Sequence, residues 1–226
     1  MKRDIVTSAI GIVILTLFLG VLYPLVVTGV SEVAFPGNAN GQKVYVKGRL
    51  VGSKIIGQSF AYQPGGRNGK PAVTKTGGPV LIPVARYFQT RPSATGEPYT
   101  AGGTPDNAAA TTFSNLGPNN TATEQAIARN VRAYLGLNKP YDPGLTTGKV
   151  PVDAANSSAS GIDPDISVAN ADIQAYRVAA VRHLSMSRVQ SLVSQYTHGR
   201  GLGFSGDTGV NVLELNLALD RAFGGS

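Results

Sequence analysis

The chain has 226 residues, a formal net charge of +7, 28 glycines, 14 prolines and no cysteine. The lack of cysteine excludes disulfide bonds, thiolate metal sites and a cysteine nucleophile. The length allows one sizeable domain in addition to a membrane segment, and the many glycines and prolines predict a domain rich in loops.

The first element in the chain is an uninterrupted apolar stretch, residues 5–30, which contains no charged side chain. A helix that crosses a bilayer needs roughly 20 apolar residues, so this stretch predicts one transmembrane helix. Lys2 and Arg3 precede it, and the positive-inside rule therefore places the N-terminus in the cytoplasm and the rest of the chain outside it. A cleaved signal peptide is the alternative, but the stretch exceeds the usual apolar region of about 7–15 residues and no clear A-x-A site follows.

Two small-xxx-small pairs lie inside the predicted helix: Thr7 with Gly11, and Thr16 with Gly20. Such pairs let a second membrane helix approach closely, which makes these four residues candidate contacts with a partner subunit. The alternative is that a single anchor merely contains a few small residues. Pro24 lacks a backbone N–H and predicts a kink near the outer end of the helix.

These features predict four parts: a cytoplasmic N-terminus (1–4), a transmembrane helix (5–30), a connector (31–41) and one extracytoplasmic domain (42–226). The positive charge of this domain suits anionic lipid headgroups or an acidic protein surface. An exported domain is not expected to meet nucleic acid.

At the start of the domain, alternating polar and apolar residues predict one half-exposed strand over 43–51. The Gly- and Pro-rich residues 61–79 predict a long loop, and residues 80–89 a short strand or turn.

The next segments show helical spacing. A helix is expected from Thr123, which would cap it, to Gly136. Pro151 is expected to open a short helix or turn within residues 150–161. Ser167 is expected to cap a helix over 168–184.

Ser187 is expected to cap a further helix, and the last strong pattern is a strand. In residues 210–220, leucines at 213, 215, 217 and 219 alternate with more polar residues, which is the period of a strand with one buried face. A β-bulge is expected near Val212, where the alternation changes parity. The mixture of helices and strands predicts an α+β domain.

No motif in the chain predicts an active site. Residues 201–206 match GxGxxG, but they follow a predicted helix and precede a predicted strand, which is the reverse of the dinucleotide-binding order. Asp163 and Asp165 could bind a cation together with Ser167, although turn formation and helix capping explain them as well. His183 and His198 are the only histidines, and GxSxG and HExxH are absent.

Seven short runs occur in a fixed order along nearly the whole chain. They are Gly57-Gln58-x-Phe60, Tyr87-Phe88-x-x-Arg91-Pro92-Ser93-Ala94, Ser114-Asn115-Leu116-Gly117-Pro118-Asn119, Val150-Pro151-Val152-Asp153, Ser160-Gly161-Ile162-Asp163-Pro164-Asp165-Ile166-Ser167, Gln174-x-x-Arg177-Val178-Ala179 and Val210-Asn211-Val212-Leu213-Glu214-Leu215-Asn216-Leu217-Ala218-Leu219-Asp220. Together they resemble the KdpC family, the C subunits of the Kdp potassium-transporting P-type ATPases. The chain departs from the family pattern at Asp165, where His is usual, and at Asp207-Thr208-Gly209, where the family has a sequence like Glu-Pro-Arg.

The resemblance implies a complex in the bacterial cell membrane, made with a channel-like potassium subunit, a P-type ATPase subunit and a small single-helix subunit. ATP and potassium would be handled by the complex, and no cofactor or metal site is expected on this chain. The chain would be a non-catalytic accessory subunit that is needed for assembly and raises the apparent ATP affinity of the ATPase subunit.

Gln58, Arg91 and Asn115 are candidate contacts with a partner subunit. Because the predicted topology separates the domain from cytoplasmic ATP, an indirect effect on ATP affinity is expected. The alternative function is a stand-alone, membrane-anchored extracytoplasmic binding protein or hydrolase.

Overall fold

The computed structural model describes residues 2–62, 64–65, 81–92, 116–201 and 203–224. These residues form a mixture of helices and short strands, as the α+β prediction requires. The chain divides into two compact units, Met1–Leu50 and Val51–Ser226.

The first unit is dominated by one continuous helix, Lys2–Ala34, which is long and apolar enough to cross a membrane. Its 33 residues span about 50 Å at 1.5 Å per residue, which exceeds a hydrocarbon core of about 30 Å. None of its described residues is buried. The helix predicted over 5–30 is therefore confirmed and extends further at both ends.

The middle of this helix widens before Pro24. Helix α1 (Lys2–Leu17) leads into a π-helical segment, Phe18–Leu22, which is followed by helix α2 (Tyr23–Ala34). The N–H of Tyr23 bonds to the carbonyl oxygen of Phe18, five residues earlier. A proline ring in a regular α-helix clashes with the carbonyl four residues before it, here that of Gly20, and a π-bulge is one of the recognised causes of helix distortion.

A short helix, α3 (Pro36–Ala39), follows the long helix, and then comes a β-hairpin. Strands β1 (Lys43–Val46) and β2 (Arg49–Ser53) form a two-stranded sheet. The single strand predicted over 43–51 is therefore wrong. Lys47 and Gly48 both have positive φ, 49° and 76°, as in the two-residue turns that join tightly paired strands.

The strands of the second unit are short. Strand β3 (Ala61–Tyr62) pairs antiparallel with β4 (Ile82–Pro83), which confirms a short strand within 80–89. A three-stranded antiparallel sheet has the order β5–β7–β6. Its strands are β5 (Asp165–Ile166), β6 (Thr197–His198) and β7 (Gly209–Asn211). Most of the loop predicted over 61–79 lies outside the described residues.

Helix α4 (Thr121–Asn138) confirms the predicted helix but not its ends. Asn120, rather than Thr123, caps it: the Asn120 side chain accepts a hydrogen bond from the N–H of Ala122. The helix continues past Gly136, because an internal glycine lowers helix propensity by only about 1 kcal/mol. Pro151 precedes the short helix α5 (Val152–Ala155), as predicted.

Helix α6 (Val168–Val181) begins where it was predicted. The hydroxyl oxygen of Ser167 accepts a hydrogen bond from the N–H of Asn170, which is the expected N-cap interaction. The helix ends at Val181 instead of residue 184. Helix α7 (Met186–Gln195) is capped at Ser185 rather than at Ser187, and Ser185 makes no capping hydrogen bond with its side chain.

The strand predicted over 210–220 is wrong, and so is its bulge. Strand β7 ends at Asn211, and helix α8 (Val212–Phe223) occupies the rest. The Asn211 side chain accepts a hydrogen bond from the N–H of Glu214, which is a standard helix N-cap. Val212, Leu215 and Leu219 are fully buried, and their spacing of three and four residues matches one helical face.

The core of the second unit lies where α6, α7 and α8 meet. Three small residues on α6 let the neighbouring elements approach closely: Ala171, Ala175 and Val178 have no exposed surface. Val189 and Val193 on α7 and Leu215 and Leu219 on α8 contribute the larger apolar surface. Burial of each such side chain stabilises the fold by roughly 1.5–3 kcal/mol.

We expect Asn211→Ala to lower the free energy of unfolding by about 1–2 kcal/mol, because it removes the cap of α8. It also removes the hydrogen bond of 2.8 Å from the Asn211 side chain to the Lys54 carbonyl oxygen. The matched control is Asn120→Ala, which removes an exposed N-cap with one described bond. Thermal unfolding of the detergent-solubilised chain, followed by circular dichroism, should show the larger loss at Asn211; equal losses would contradict this assignment.

Candidate functional site

The main chain of residues 85–89 is held by side chains from two helices. This stretch, called here the 85–89 segment, runs between β4 and Arg91. Each of its five residues has at least one main-chain atom bonded to a side chain of α6, of α8 or of Arg182, which directly follows α6. The segment therefore has a fixed path without forming a helix or a strand of its own.

Arg177 on α6 makes the largest contribution to this arrangement. Its guanidinium is fully buried and donates from Nε to the Ala85 carbonyl at 2.9 Å and from Nη2 to the Tyr87 carbonyl at 2.7 Å. It also donates to the side-chain oxygens of Asn138 and Gln174. Because an unpaired buried charge is very costly, these four acceptors are required where Arg177 lies.

Two carboxamides complete the attachment of the 85–89 segment. Gln174 accepts from the N–H of Gln89 at 2.7 Å and donates to its carbonyl at 3.0 Å. Asn216 on α8 does the same for Phe88, with both bonds at 2.9 Å. A side-chain amide with one donor and one acceptor group can satisfy both polar groups of a residue in this way.

An ion pair closes the outer edge of this cluster. Arg182 donates from Nη2 to Asp220 at 2.7 Å and from Nε to the Arg86 carbonyl at 2.8 Å. The Tyr87 hydroxyl donates to the other oxygen of Asp220 at 2.8 Å. The guanidinium of Arg182 lies 5.0 Å from the centre of the Tyr87 ring, which is within the range of a cation–π interaction.

A second polar chain runs from Gln174 to the start of α6. Gln174 donates to Asn170 at 2.9 Å, and Asn170 donates to Asp153 at the same distance. Asp153 accepts from both the N–H and the hydroxyl of Ser167 at 2.8 Å. The Tyr134 hydroxyl on α4 donates to Asn170 at 2.8 Å. These contacts attach α4 and α5 to α6.

Burial shifts the titration of the groups in this cluster. Desolvation lowers the pKa of Arg177 to about 10, because burial disfavours the charged form. Burial raises the pKa of Tyr134 for the same reason, since its charged form is the phenolate. Burial, followed by the hydrogen bond to Asp220, raises the pKa of Tyr87. Both tyrosines are therefore neutral donors at neutral pH.

The turn around Pro164 forms a second junction. The N–H of Gly57 donates to the Ile162 carbonyl at 2.7 Å, and a Cβ at Gly57 would clash with the Asp163 carbonyl oxygen. Arg91 pairs with Asp163 at 2.8 Å, and the N–H of Val212 donates to the Pro164 carbonyl at 3.1 Å. The turn thus connects the Gly57 region and the start of α8.

Each aspartate in the turn pairs with one basic side chain. Asp163 pairs with Arg91, and Asp165 lies 3.0 Å from Nε2 of His198. Ser167 caps α6. Among the described residues there is no group of three or more His, Cys, Asp or Glu side chains that could hold a metal ion. Asp163 and Ser167 make the expected turn and cap contacts, while Oδ1 of Asp165 is buried without a hydrogen bond to any described residue.

The glycine-rich residues 201–206 lie between β6 and β7, and α8 begins only at Val212. Gly201 and Ser205 exchange backbone hydrogen bonds at 2.8 Å. The predicted loop is confirmed for the described residues 201 and 203–206, but the prediction that it directly follows a helix is wrong, because strand β6 precedes it.

A cleft of about 200 Å³ lies beside the 85–89 segment. Apolar side chains line part of it: Ala61, Leu81, Pro83, Ala133 and Leu137. Residues of the polar cluster, including Tyr134 and Asn138, line another part. Arg91 is the one charged residue among the described residues that line it.

The structure places the candidate contact residues in different surroundings. Gln58 is buried, with 7% of its surface exposed, and its carbonyl accepts from the Thr90 hydroxyl at 3.4 Å. Arg91 directly follows Thr90 and lies at the cleft, while Asn115 lies outside the described residues. A contact of any of the three with a partner stays a prediction.

The two small-residue pairs of the long helix do not form one stripe. Thr7 and Thr16 are nine residues apart within α1, which at about 100° per residue places them on opposite sides of the helix. A Cβ at Gly11 would meet no atom within 4 Å. The helix itself therefore leaves space at Gly11. Because the two pairs lie on opposite sides, one partner helix could not contact both.

Several residues of the polar cluster carry no functional signal in the sequence motifs: Asn138, Asp153, Gln174, Arg177, Arg182 and Asn216. Four of them were inside or beside the quoted runs, but no role was inferred for them. The available signal was the spacing of Asn170, Gln174 and Arg177, which places polar side chains on the inward face of an otherwise apolar helix.

Taken together, the chain is an α+β protein with one membrane-length helix at its N-terminus and a polar cluster that positions its own main chain. Comparisons with known proteins identify the family to which it belongs. A family model described as "KdpC: K+-transporting ATPase, c chain" matches residues 5–221.

Curated relatives agree with that match over nearly the full length of both chains. A Mycobacterium tuberculosis protein named "Potassium-transporting ATPase KdpC subunit" is 40% identical over 222 residues, 98% of this chain and 100% of the relative. Proteins of the same name from Methylibium petroleiphilum and Koribacter versatilis are 41% and 38% identical, over 97% of this chain and 98% and 95% of theirs. The chain belongs to the KdpC family, a family of potassium-transporting ATPase subunits, and the resemblance seen in the motifs is confirmed.

We expect Arg177→Lys to destabilise the second unit by about 2–4 kcal/mol, because an ammonium cannot reach four acceptors placed around a planar guanidinium. Arg188→Lys is the matched control, since Arg188 is an exposed residue of α7. The measurement is thermal unfolding of the full chain in detergent. Equal stability of the two variants would show that the Arg177 bonds are not required.

Proposed function

We propose that this chain is a non-catalytic accessory subunit of an ATP-driven potassium uptake complex and is needed for the assembly of that complex. The observation that carries the proposal is the family match over residues 5–221, which includes both the apolar helix and the second unit. Full-length relatives named as potassium-transporting ATPase subunits support it. Family membership also favours a subunit over the stand-alone binding protein or hydrolase.

The polar cluster supports a structural role rather than a catalytic one. The most deeply buried polar side chains among the described residues all bond to other groups of the fold: Arg177, Gln174, Asn138, Asn170 and Asn216. A general acid, base or nucleophile needs free access to a substrate. Residues that hold the main chain in this way are suited to maintaining a rigid surface for other subunits.

The proposed partners are a channel-like potassium subunit, a P-type ATPase subunit and a small single-helix subunit. We expect a tagged full-length chain, expressed with its native neighbours and solubilised in mild detergent, to co-purify with them in fixed proportion. Replacing residues 2–34 by an unrelated membrane helix should lower the recovery if Thr7, Gly11, Thr16 or Gly20 contacts a partner. Purification of the intact chain alone, with uptake unaffected by its deletion, would contradict the proposal.

We further propose that the helix Lys2–Ala34 anchors the chain with its N-terminus in the cytoplasm and the second unit outside the cell membrane. Lys2 and Arg3 support this orientation through the positive-inside rule. The chain contains no cysteine, so a single introduced thiol reports the topology directly.

In intact cells, a membrane-impermeant maleimide should label Lys139→Cys, an exposed site on the second unit. It should label Asp4→Cys only after the cells are opened. The opposite pattern would place the second unit in the cytoplasm, and labelling of a shorter, soluble form would indicate a cleaved signal peptide.

An effect on ATP affinity would, in this orientation, pass through the other subunits. A subunit that binds two pump states with different affinity changes the apparent affinity of ligands that favour one state. We expect the complex lacking this chain to need a higher ATP concentration for half-maximal activity. We also expect the purified full-length chain to show no saturable binding of labelled ATP; tight binding would refute the indirect route.

A further inference from the structure

Arg91, which lines the cleft beside the 85–89 segment, carries a hydrogen-bond donor that no described residue satisfies. Nε of Arg91 is buried and makes no hydrogen bond, although Nη1 of the same side chain pairs with Asp163 at 2.8 Å. A buried donor without an acceptor costs roughly 1–3 kcal/mol and calls for an explanation. Because Nε itself has almost no accessible surface, an acceptor from another molecule would reach Arg91 at the exposed part of its guanidinium.

The fold holds Arg91 at the cleft without using its full binding capacity. A guanidinium has five N–H donors in a fixed fork, and Asp163 accepts from one nitrogen. A quarter of the Arg91 side chain is exposed. Asp163 therefore occupies one donor of the guanidinium and leaves further donors for a second carboxylate, which is the anion that an arginine fork binds best apart from phosphate.

The residues that line the cleft indicate which kind of chemical group could bind there. Arg91 is the one charge among the described lining residues, and Ala61, Leu81, Pro83, Ala133 and Leu137 provide apolar surface. A carboxylate on a short chain of methylene groups matches both features, because its charge meets Arg91 and its stem contacts the apolar side chains. Aspartate and glutamate side chains have this form.

We propose that the cleft is a docking site for an acidic side chain of a partner subunit, with Arg91 as the anchor. The inference rests on the proposed function, since it assumes that the chain assembles with other subunits. Charge complementarity favours an anionic occupant, and the limited volume of about 200 Å³ favours one protruding side chain over a lipid headgroup with its acyl chains.

Two variants test the two halves of the site. Arg91→Gln removes the charge, and Ala133→Leu fills the cleft from an exposed position of α4 without altering Arg91. Loss of an anchoring residue at an interface costs more than 1 kcal/mol, so we expect each variant to lower the affinity for the partner subunits by about tenfold. Affinity is measured by titrating the detergent-solubilised full chain against the remaining complex.

Three control variants separate docking from folding. Arg129→Gln makes the same charge change, and Gln125→Leu introduces the same side chain, both at exposed positions of α4 that do not line the cleft. Asp163→Asn removes the internal ion pair but leaves Arg91 charged. We expect all three to bind within about twofold of the unaltered chain. A tenfold loss with Asp163→Asn would mean that Arg91 acts through the turn, and would overturn the proposal.

Cross-linking tests the identity of the occupant. In the Arg91→Lys/Asp163→Asn double variant, the introduced amine has lost its internal carboxylate. A carbodiimide should then join it directly to the docking carboxylate, with loss of water, and mass spectrometry should locate that residue in a partner subunit. A cross-link to an acidic residue of this chain, in the same molecule or in a second copy, would overturn the proposal, and so would its absence.

The outcomes distinguish this inference from the proposed function. If the unaltered chain fails to bind the remaining subunits, the proposed function fails. If the unaltered chain binds and both Arg91→Gln and Ala133→Leu bind equally well, the docking site alone is wrong.

Discussion

The buried guanidinium of Arg177 is the constraint on which the second unit depends. A positive charge removed from water is tolerated only when acceptors surround it. Its acceptors come from the 85–89 segment, from Asn138 on α4 and from Gln174 on its own helix. Three separate parts of the chain must therefore reach their places together, and the cleft at Arg91 lies where they meet.

Helical periodicity predicted α4, α6 and α7 because each has one face against the core. Ser167 was predicted as a cap because its signal is local. The leucine alternation at the C-terminus was misleading, since Leu217 is only partly buried while Val212, Leu215 and Leu219 are fully buried. The Asn211–Glu214 spacing was the better signal. The hairpin turn was missed because Lys47 takes a positive φ that favours asparagine or glycine.

The site was less accessible to sequence reasoning than the fold. Its bonds join residues far apart in the chain: Asn216 to Phe88, Arg177 to Ala85, Arg91 to Asp163. Hydrogen bonds between side chains and main chain over such long sequence separations leave no periodic pattern in the sequence. The family resemblance drew attention to these runs, but only the structure shows that most of them contact one another.

The dense bonding around Arg177 also limits how such a sequence can drift. A neutral, apolar replacement at that position would leave four oxygens without this donor. Replacement of Asn138 or Gln174 would instead remove one acceptor of the guanidinium. Single steps in either direction pass through a less stable protein. Across diverging lineages, positions 138, 174 and 177 should consequently be inherited as a block and be exchanged together.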